Sequence, residues 1–222
     1  MKRWIIVIVL FYSVTNIFAQ NIYNHLPSKI DTSKKYIFYL HGRIIEDQGI
    51  RPMSEKYGIY EYEKILDSLA KNDFCVLSEP RPQNTNVFEY ANKIALQIDT
   101  LLKSNVPVKN ITVIGASKGA GIAVAISNIL KNDELKFVVM AICNDKMAKF
   151  WQKNEIKIWG RVLYIFDTKD ELAGSCKNYL DIIRSAGLKE FKEIEVTLGL
   201  GHGILYLPLK EWVLPALDWA QK

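Results

Sequence analysis

A serine lies at the centre of segment 115–119, which reads Gly-Ala-Ser-Lys-Gly. A β-branched run at 111–114 precedes it and predicts a buried strand, while small apolar residues from Lys118 onward predict a buried helix. A serine at such a tight turn is exposed above the sheet, and its small neighbours leave room for the backbone. An ordinary loop with a capping serine is the simpler interpretation. With a base beside it, Ser117 is a candidate nucleophile.

Three histidines are available as the base. His25 lies in the polar N-terminal arm, where a surface role is expected, and His41 follows the first predicted strand. His202 lies in segment 199–203, Gly-Leu-Gly-His-Gly, directly after the last predicted strand. A histidine between glycines on a loop has little packing role. We therefore predict that His202 is the base, with a simple turn residue as the alternative.

The carboxylate that orients the base should follow a strand between the serine and the histidine. Segment 166–171, Phe-Asp-Thr-Lys-Asp-Glu, follows such a strand. Asp170 is the preferred acid, because it lies beyond the strand end, where the loop can turn back toward His202. Asp167 is the alternative acid, and its other role would be to cap or brace the loop.

Together these motifs resemble the α/β-hydrolase superfamily, and the resemblance covers nearly all of the chain after the first 19 residues. It depends on the serine turn, the strand-end acid, the late glycine-flanked histidine and the pair His41-Gly42 after the first strand. The chain order Ser117, Asp170, His202 matches the order of this fold. The chain departs from the superfamily's pattern in three ways. The two opening strands of the fold are absent, the segment 144–160 is short where a lid is usually inserted, and Asp167 stands where a glycine is common. The short segment predicts an open cleft.

The resemblance also implies how an oxyanion would be held. In this superfamily a His-Gly pair after the first strand usually begins the oxyanion loop, so His41 and Gly42 mark that loop. The implied donors are the backbone N–H of Arg43, or its neighbour, and that of Lys118. His41 then orients the loop, with a satisfied structural histidine as the alternative.

Predicted strands alternate with predicted helices along the chain, which indicates βαβ units. The fold class is therefore α/β: a three-layer α/β/α sandwich with a mainly parallel sheet of about six strands, a trimmed α/β-hydrolase fold. In such sheets the site lies at the carboxyl ends of the strands. Strands are predicted at Lys35–Leu40, 74–78, 111–114, 137–143, 161–166 and 191–198, and helices at 60–71, 86–104, from 118, 146–152, 176–186 and 209–220. Segment 43–57, between the first strand and the first helix, is predicted to be a loop.

The N-terminus differs in character from the rest. Lys2 and Arg3 precede an apolar run at 4–12, and Ala19-Gln20 offers a small-residue cleavage site. This pattern predicts a signal peptide at 1–19 and one hydrolase domain at 20–222, in a secreted or periplasmic protein. A membrane anchor is the alternative, although the run is short for a bilayer span. No later segment is long enough to span a membrane.

The cysteines and the charge limit other classes of function. Cys143 ends one predicted strand and Cys176 follows the next, so they are candidates for a disulfide, whereas Cys75 lies within an apolar strand. No cysteine has the spacing of a metal site, and no metal or organic cofactor is implied. The formal charge of +5 is mild, and no basic cluster suggests nucleic acid.

These observations predict a serine hydrolase that cleaves an ester, or less readily a thioester or amide, through an acyl-enzyme. The partner is a small ester or acyl substrate; the oligomeric state is left open. A non-catalytic binding protein on the same scaffold and an acyltransferase are the alternatives. The cations Arg43, Arg81 and Lys118 could all lie near the rim of the cleft and hint at an anionic substrate group, but Arg81 could instead pair internally with Glu79.

Overall fold

Parallel strands rich in β-branched and aromatic residues form the centre of the molecule. A computed structural model describes residues 21–222. Its main sheet has seven strands, and every neighbouring pair of strands in it is parallel. The strands are β1 (Ile22–Tyr23), β2 (Lys35–Leu40), β5 (Phe74–Leu77), β6 (Ile111–Ala116), β7 (Lys136–Met140), β8 (Ile158–Asp167) and β9 (Arg184–Val196).

The strand order is β1-β5-β2-β6-β7-β8-β9, so β6 lies at the centre of the sheet. All six residues of β6 are buried, as its apolar sequence predicts. Because all these strands run in one direction, the carboxyl ends of β2, β6, β7 and β8 meet at the same edge. The α/β class and the mainly parallel sheet are confirmed. The strand beyond the expected six is β1, a two-residue strand contributed by the N-terminal arm.

Helices cover both faces of the sheet, which gives the expected three layers. One face packs against the helices that follow β5, β6 and β7, and the other against helices near the two ends of the chain. The helices are α1 (Arg43–Gln48), α2 (Tyr62–Leu69), α3 (Val87–Lys103), α4 (Lys118–Leu130), α5 (Asp145–Lys153), α6 (Leu180–Ile183) and α7 (Lys210–Gln221).

Local sequence explains several of these boundaries. The Asn86 side chain accepts hydrogen bonds from the N–H groups of Phe88 and Glu89, so α3 begins where its capping residue predicts. Asn144 caps α5 in the same way through the N–H of Met147. Both caps lie just beyond strands at the carboxyl edge, and they fix where the two helices depart from it.

Two segments differ from the prediction. Segment 43–57, expected to be a loop, contains α1 and a hairpin of β3 (Met53–Ser54) with β4 (Gly58–Ile59). Segment 176–186, expected to be one helix, contains a 3₁₀ turn at Cys176–Tyr179, the short helix α6, and the start of β9. The reason for the second difference is pairing: β9 joins β8 from its first residue, Arg184.

The predicted signal peptide at 1–19 lies outside the described residues. Within residues 21–222, no helix combines the length and the hydropathy that a bilayer crossing requires.

Candidate active site

Ser117 occupies the sharp turn between β6 and α4. Its backbone has φ 54° and ψ −116°, a conformation that residues with a Cβ rarely adopt. The N–H of Ser117 donates to the carbonyl of Met140 at the end of β7, at 3.0 Å, which holds the turn against the neighbouring strand. This bond to the sheet therefore helps to hold Ser117 in its strained conformation, at the carboxyl edge of the sheet.

Two glycines make this turn sterically feasible. A Cβ on Gly115 would lie 2.4 Å from the carbonyl oxygen of Gly119, and one on Gly119 would lie 1.9 Å from the carbonyl oxygen of Leu40. Both distances are far below van der Waals contact, and both obstacles are backbone atoms. The glycines of the serine motif are therefore required by the close packing of β6, α4 and the end of β2.

His202 lies directly beside Ser117. The distance between His202 Nε2 and Ser117 Oγ is 2.9 Å, within hydrogen-bond range. His202 is 8% exposed and lies on a 3₁₀ turn, Gly201–Leu205. Gly201 has φ 56°, and a Cβ there would lie 2.8 Å from the carbonyl oxygen of Lys169. The glycine before the histidine therefore lets this turn pack closely against the loop that carries Asp170.

Asp170 completes a hydrogen-bond chain to Ser117. Its Oδ2 lies 2.8 Å from His202 Nδ1. Its Oδ1 accepts hydrogen bonds from the N–H groups of Leu172 (2.8 Å) and Ala173 (3.2 Å). Because the carboxylate only accepts, Nδ1 carries the proton and Nε2 is free to accept the serine proton. The side chain of Asp170 is 0% exposed, so water does not compete for it.

Asp167, the alternative acid, has a different set of contacts. Its Oδ1 accepts from the N–H of Lys169 at 2.8 Å, and its Oδ2 accepts from the N–H of Leu198 at 3.1 Å. Neither oxygen contacts His202. Asp167 is fully buried and links the loop after β8 to the loop after β9. It therefore braces the two loops that carry Asp170 and His202.

The loop after β2 lies against Ser117. A Cβ built on Gly42 would be 3.8 Å from Ser117 Cβ, so this backbone passes beside the serine. Arg43 is the first residue of α1 and Lys118 is the first residue of α4, where backbone N–H groups have no acceptor within the helix. Two helix N-termini therefore begin next to the hydroxyl. The side chain of Arg43 is 67% exposed and pairs with Asp47.

His41 lies beneath this loop and does not contact Ser117. Its Nδ1 donates to the carbonyl of Gly42 at 2.8 Å, and its Nε2 accepts from the N–H of Arg81 at 3.0 Å. Nε2 also lies 3.2 Å from the carbonyl oxygen of Glu79, but it can accept the shorter bond from the Arg81 N–H only without a proton. The contacts therefore favour the neutral imidazole with the proton on Nδ1. Burial, with a contribution from the charge of Arg81, lowers the pKa of His41 to about 3. His41 is thus both a satisfied buried histidine and a direct support of the loop.

A charge cluster of the buried residues Glu46 and Arg81 with the partly buried Lys118 adjoins the loop. Arg81 Nε donates to Glu46 Oε1 at 2.8 Å, and Arg81 also donates to the carbonyl of His41. Lys118 Nζ contacts Glu46 Oε2 and donates to the carbonyl of Thr85 at 2.8 Å. The side chains of Glu46 and Arg81 are 1% and 0% exposed.

This cluster changes the interpretation of the cations. Arg81 pairs with Glu46 rather than with Glu79, and it is buried rather than at the rim of the cleft. Lys118 forms an ion pair with the same carboxylate. Sequence reasoning missed Glu46, because it lies in a segment expected to be loop. No local signal in the sequence pointed to Glu46, because its partners Arg81 and Lys118 are 35 and 72 residues away.

Two cavities lie near the hydrogen-bond chain. A groove with a volume of about 560 Å³ includes Ser117 and is lined mainly by apolar side chains. Another cavity, of about 610 Å³, includes Asp170 and Tyr57 but neither Ser117 nor His202. The first cavity is therefore the one from which a bound molecule reaches the serine hydroxyl.

Cys143 and Cys176 are joined as a disulfide with a Cα–Cα distance of 5.2 Å. The carbonyl of Cys143 also accepts from the N–H of Gly174 at 2.9 Å, so the bridge ties the segment after β7 to the end of the acid loop. Cys75 is buried and unpaired. Among the described residues, no group of three or more histidine, cysteine or acidic side chains is arranged to hold a metal ion.

Comparisons with known proteins give a likeness of fold. No protein-family model matches the chain, and no curated protein sequence matches it. Among solved structures, SOBER1 of Arabidopsis thaliana is similar with a TM-score of 0.53 and 15% identity, over 85% of this chain and 98% of that chain. An arylesterase is similar with a TM-score of 0.53 and 14% identity, over 85% and 75%.

A lipase-esterase related protein from Clostridium acetobutylicum is similar with a TM-score of 0.50 and 15% identity, over 85% of this chain and 96% of that chain. At these identities the likeness concerns the arrangement of strands and helices and not the residues of a site.

Proposed function

Because this chain has the fold of the α/β-hydrolases, we propose that it is a serine hydrolase that cleaves an ester. The observation that carries the proposal is the hydrogen-bond chain from Asp170 through His202 to Ser117, at the carboxyl edge of the sheet. A buried carboxylate, an imidazole between it and the hydroxyl, and a serine on a strained turn are the three parts that this chemistry requires.

The proposed reaction has two halves. His202 Nε2 takes the proton of Ser117 while the serine oxygen attacks the ester carbonyl, and the same proton then passes to the departing alcohol. The acyl group remains on Ser117. A water molecule, deprotonated by His202, attacks this acyl-enzyme and releases the acid, which restores the serine hydroxyl. Asp170 holds the imidazole in the required tautomer and stabilises its positive charge in each half.

The proposed oxyanion donors are the backbone N–H groups of Arg43 and Lys118. Each begins a helix next to Ser117, and each is fixed before a substrate arrives. Groups that are already aimed at the developing charge need no rearrangement during the reaction. Loss of one such donor typically costs about a hundredfold to a thousandfold in kcat.

The ester is preferred to a thioester or amide as the substrate bond. Two of the similar structures carry the names arylesterase and lipase-esterase related protein, and those names apply to those proteins. Their support for this chain is a likeness of fold alone. We therefore propose esters as the first substrates to assay, because the preference comes from the likeness of fold and not from a contact in the site.

The test is reaction with a fluorophosphonate probe, followed by mass spectrometry to find the labelled residue. We expect label on Ser117, no label in Ser117→Ala, and labelling at least a hundredfold slower in His202→Ala. The surface variant His25→Gln is the matched control, because it also removes a histidine, and it should label like the wild type. If folded wild-type protein takes no label, the chain is a binding scaffold and the proposed function is wrong.

A further inference from the structure

The groove at Ser117 separates two pairs of helices. On the face of the sheet that carries α4, α3 packs against α4 and α5 packs against α6. The groove runs between these two pairs and begins at Ser117. Besides Ser117, its lining comes mainly from residues of α3, α4 and α5.

One face of α4 forms the floor of the groove. Ser117, Gly121 and Ala125 are spaced four residues apart, so they lie in a row along one side of the helix. A Cβ built on Gly121 would meet only Ile142 Cδ1, at 4.0 Å, which leaves the space above the floor open. From Ser117 to Ala125 the row rises by about 12 Å, since an α-helix advances about 1.5 Å per residue.

Aromatic and aliphatic side chains form the walls and the far end. The rings of Phe88 and Phe150 stack across the groove with centroids 6.1 Å apart. Trp151 and Ile156 are 2% and 4% exposed. Ile156 lies just before β8 and therefore near the amino edge of the sheet, opposite Ser117. The groove thus begins at the proposed nucleophile and ends among buried apolar side chains.

The charges along the groove favour an uncharged occupant of its interior. No acidic side chain lines it, and Lys118 is already paired with Glu46. Arg43 and Lys146 are the other cations, and each begins or nearly begins a helix at the carboxyl edge. Charge is therefore confined to the end near Ser117, and the remainder matches a hydrocarbon chain.

We propose that this groove binds the acyl chain of the ester, and that it accepts straight chains of up to about ten carbons. The inference rests on the proposed function, because Ser117 must be the residue that becomes acylated. An extended polypeptide advances about 3.3–3.6 Å over three backbone bonds, which is about 1.2 Å per bond. A row of about 12 Å therefore accommodates about ten bonds of a hydrocarbon chain.

The first experiment measures kcat/KM for p-nitrophenyl esters with acyl chains from two to fourteen carbons. We expect kcat/KM to rise by up to about fourfold for each added methylene that becomes buried. The rise should stop near ten carbons, where the chain passes the end of the row from Ser117 to Ala125. All substrates share one leaving group, so only the acyl chain varies.

Two variants test the floor of the groove. Gly121→Leu should lower the ratio of kcat/KM for the decanoyl ester to that for the acetyl ester at least tenfold, because the new side chain fills the groove. Gly121→Ala is the variant of intermediate size, since it also removes the glycine but adds only a methyl group to the floor. Its ratio should fall less than that of Gly121→Leu. Ala125→Leu, one turn further from Ser117, should shorten the longest accepted chain by less than Gly121→Leu does.

The outcomes separate the two proposals. A rising series in the wild type together with a selective loss in Gly121→Leu supports the acyl groove. Two results would overturn the acyl-groove proposal and leave the serine hydrolase proposal in place. One is hydrolysis of the acetyl ester with no gain in kcat/KM from longer chains, and the other is an unchanged ratio in folded Gly121→Leu. Absence of both hydrolysis and probe label on Ser117 overturns the proposed function and this inference with it. Circular dichroism and thermal unfolding establish that each variant is folded.

Discussion

At the scale of single residues, Asp170 and Asp167 have nearly the same sequence context and different contacts. Asp170 shares a hydrogen bond with His202, whereas both oxygens of Asp167 accept from backbone N–H groups. We predict that Asp170→Asn lowers kcat by up to about ten-thousandfold, since an amide no longer enforces the tautomer that leaves His202 Nε2 free. The measurement is kcat on a short-chain ester.

Asp167→Asn is the control for that prediction. The new amide places a donor against one of two backbone N–H groups, so it should lower the thermal midpoint while kcat falls by less than about tenfold. If Asp167→Asn abolishes turnover in folded protein and Asp170→Asn does not, Asp167 is the acid and the proposed assignment is wrong.

The buried histidine His41 should make the stability of the fold depend on pH. Its pKa is about 3 in the folded protein, against about 6.5 in an unfolded chain. Between pH 6.5 and pH 3, the unfolded chain therefore binds a proton at His41 that the folded protein does not bind. The contribution of His41 to the free energy of unfolding is complete above pH 6.5 and is lost as the pH falls toward 3. At pH 5 the expected loss from this residue is about 2 kcal/mol.

Urea unfolding at pH 7 and pH 5 measures this loss. His41→Gln should be less stable at pH 7 but should lose about 2 kcal/mol less than the wild type on going to pH 5. His25→Gln, which removes an exposed histidine in the arm, should keep the wild-type difference. Equal pH dependence in His41→Gln and the wild type would show that His41 is not held neutral.

At the scale of elements, the proposed oxyanion donors lie on two different helices, which must keep a fixed separation. The Gly42–Arg43 peptide is trans, so its C=O and N–H point in opposite directions. His41 holds the Gly42 carbonyl and thereby directs the Arg43 N–H. Glu46 on α1 contacts the side chain of Lys118 on α4, so one carboxylate joins the two donor helices.

This arrangement makes Glu46 a positioning residue. We predict that Glu46→Gln lowers kcat by about tenfold to a hundredfold with a smaller effect on KM, because the donors act on the developing oxyanion more than on bound ester. Loss of one partner of a buried ion pair should also cost about 3–5 kcal/mol of stability. The kcat-to-KM split is the decisive measurement, since a purely structural role would not produce it.

Asp47→Asn is the matched control on the same helix. Asp47 pairs with Arg43 at 3.3 Å, but both side chains are largely exposed, and such pairs contribute little. Its kinetics and stability should remain close to those of the wild type. A Glu46→Gln variant with wild-type kcat would show that α1 and α4 keep their spacing without this contact.

Element by element, prediction succeeded where local signals agreed with tertiary pairing. The strand Lys35–Leu40 and the start of α3 were predictable, because their apolar period and capping residue are local. The end of the helix predicted at 176–186 was not, because its apolar spacing continues to fit a helix and only pairing with β8 makes the residues from Arg184 onward a strand. Glu46 could not be found for the same reason: its partners are 35 and 72 residues away.

At the scale of the whole molecule, the meeting of the candidate site residues at one edge of the sheet was predictable, but the burial of the charged residues around them was not. Ser117, Asp170 and His202 come from three strand ends that the parallel sheet brings to one edge. Arg81 was expected near the cleft rim, yet it is fully buried. Burial depends on how α1 and α3 cover the loop after β5, which no local pattern encodes.

The disulfide and the predicted signal peptide lead to one prediction about the whole protein. The Cys143–Cys176 bridge spans 33 residues, and a closed loop of that length stabilises a fold by about 3–4 kcal/mol in the chain-entropy view. Such bridges persist in oxidising compartments. We therefore predict export: a full-length chain made in a secreting bacterial host should be recovered outside the cytoplasm, beginning at Gln20.

Alkylation in denaturant, read by intact mass, tests this prediction. Without reductant we expect one alkylated cysteine, Cys75, and with reductant all three cysteines of the chain. The N-terminal residue is read from the same mass, since loss of residues 1–19 removes no cysteine. Cys75→Ala is the control and should give no alkylation before reduction. Recovery of the uncut chain from the cytoplasm with three free thiols would contradict both the export and the oxidised bridge.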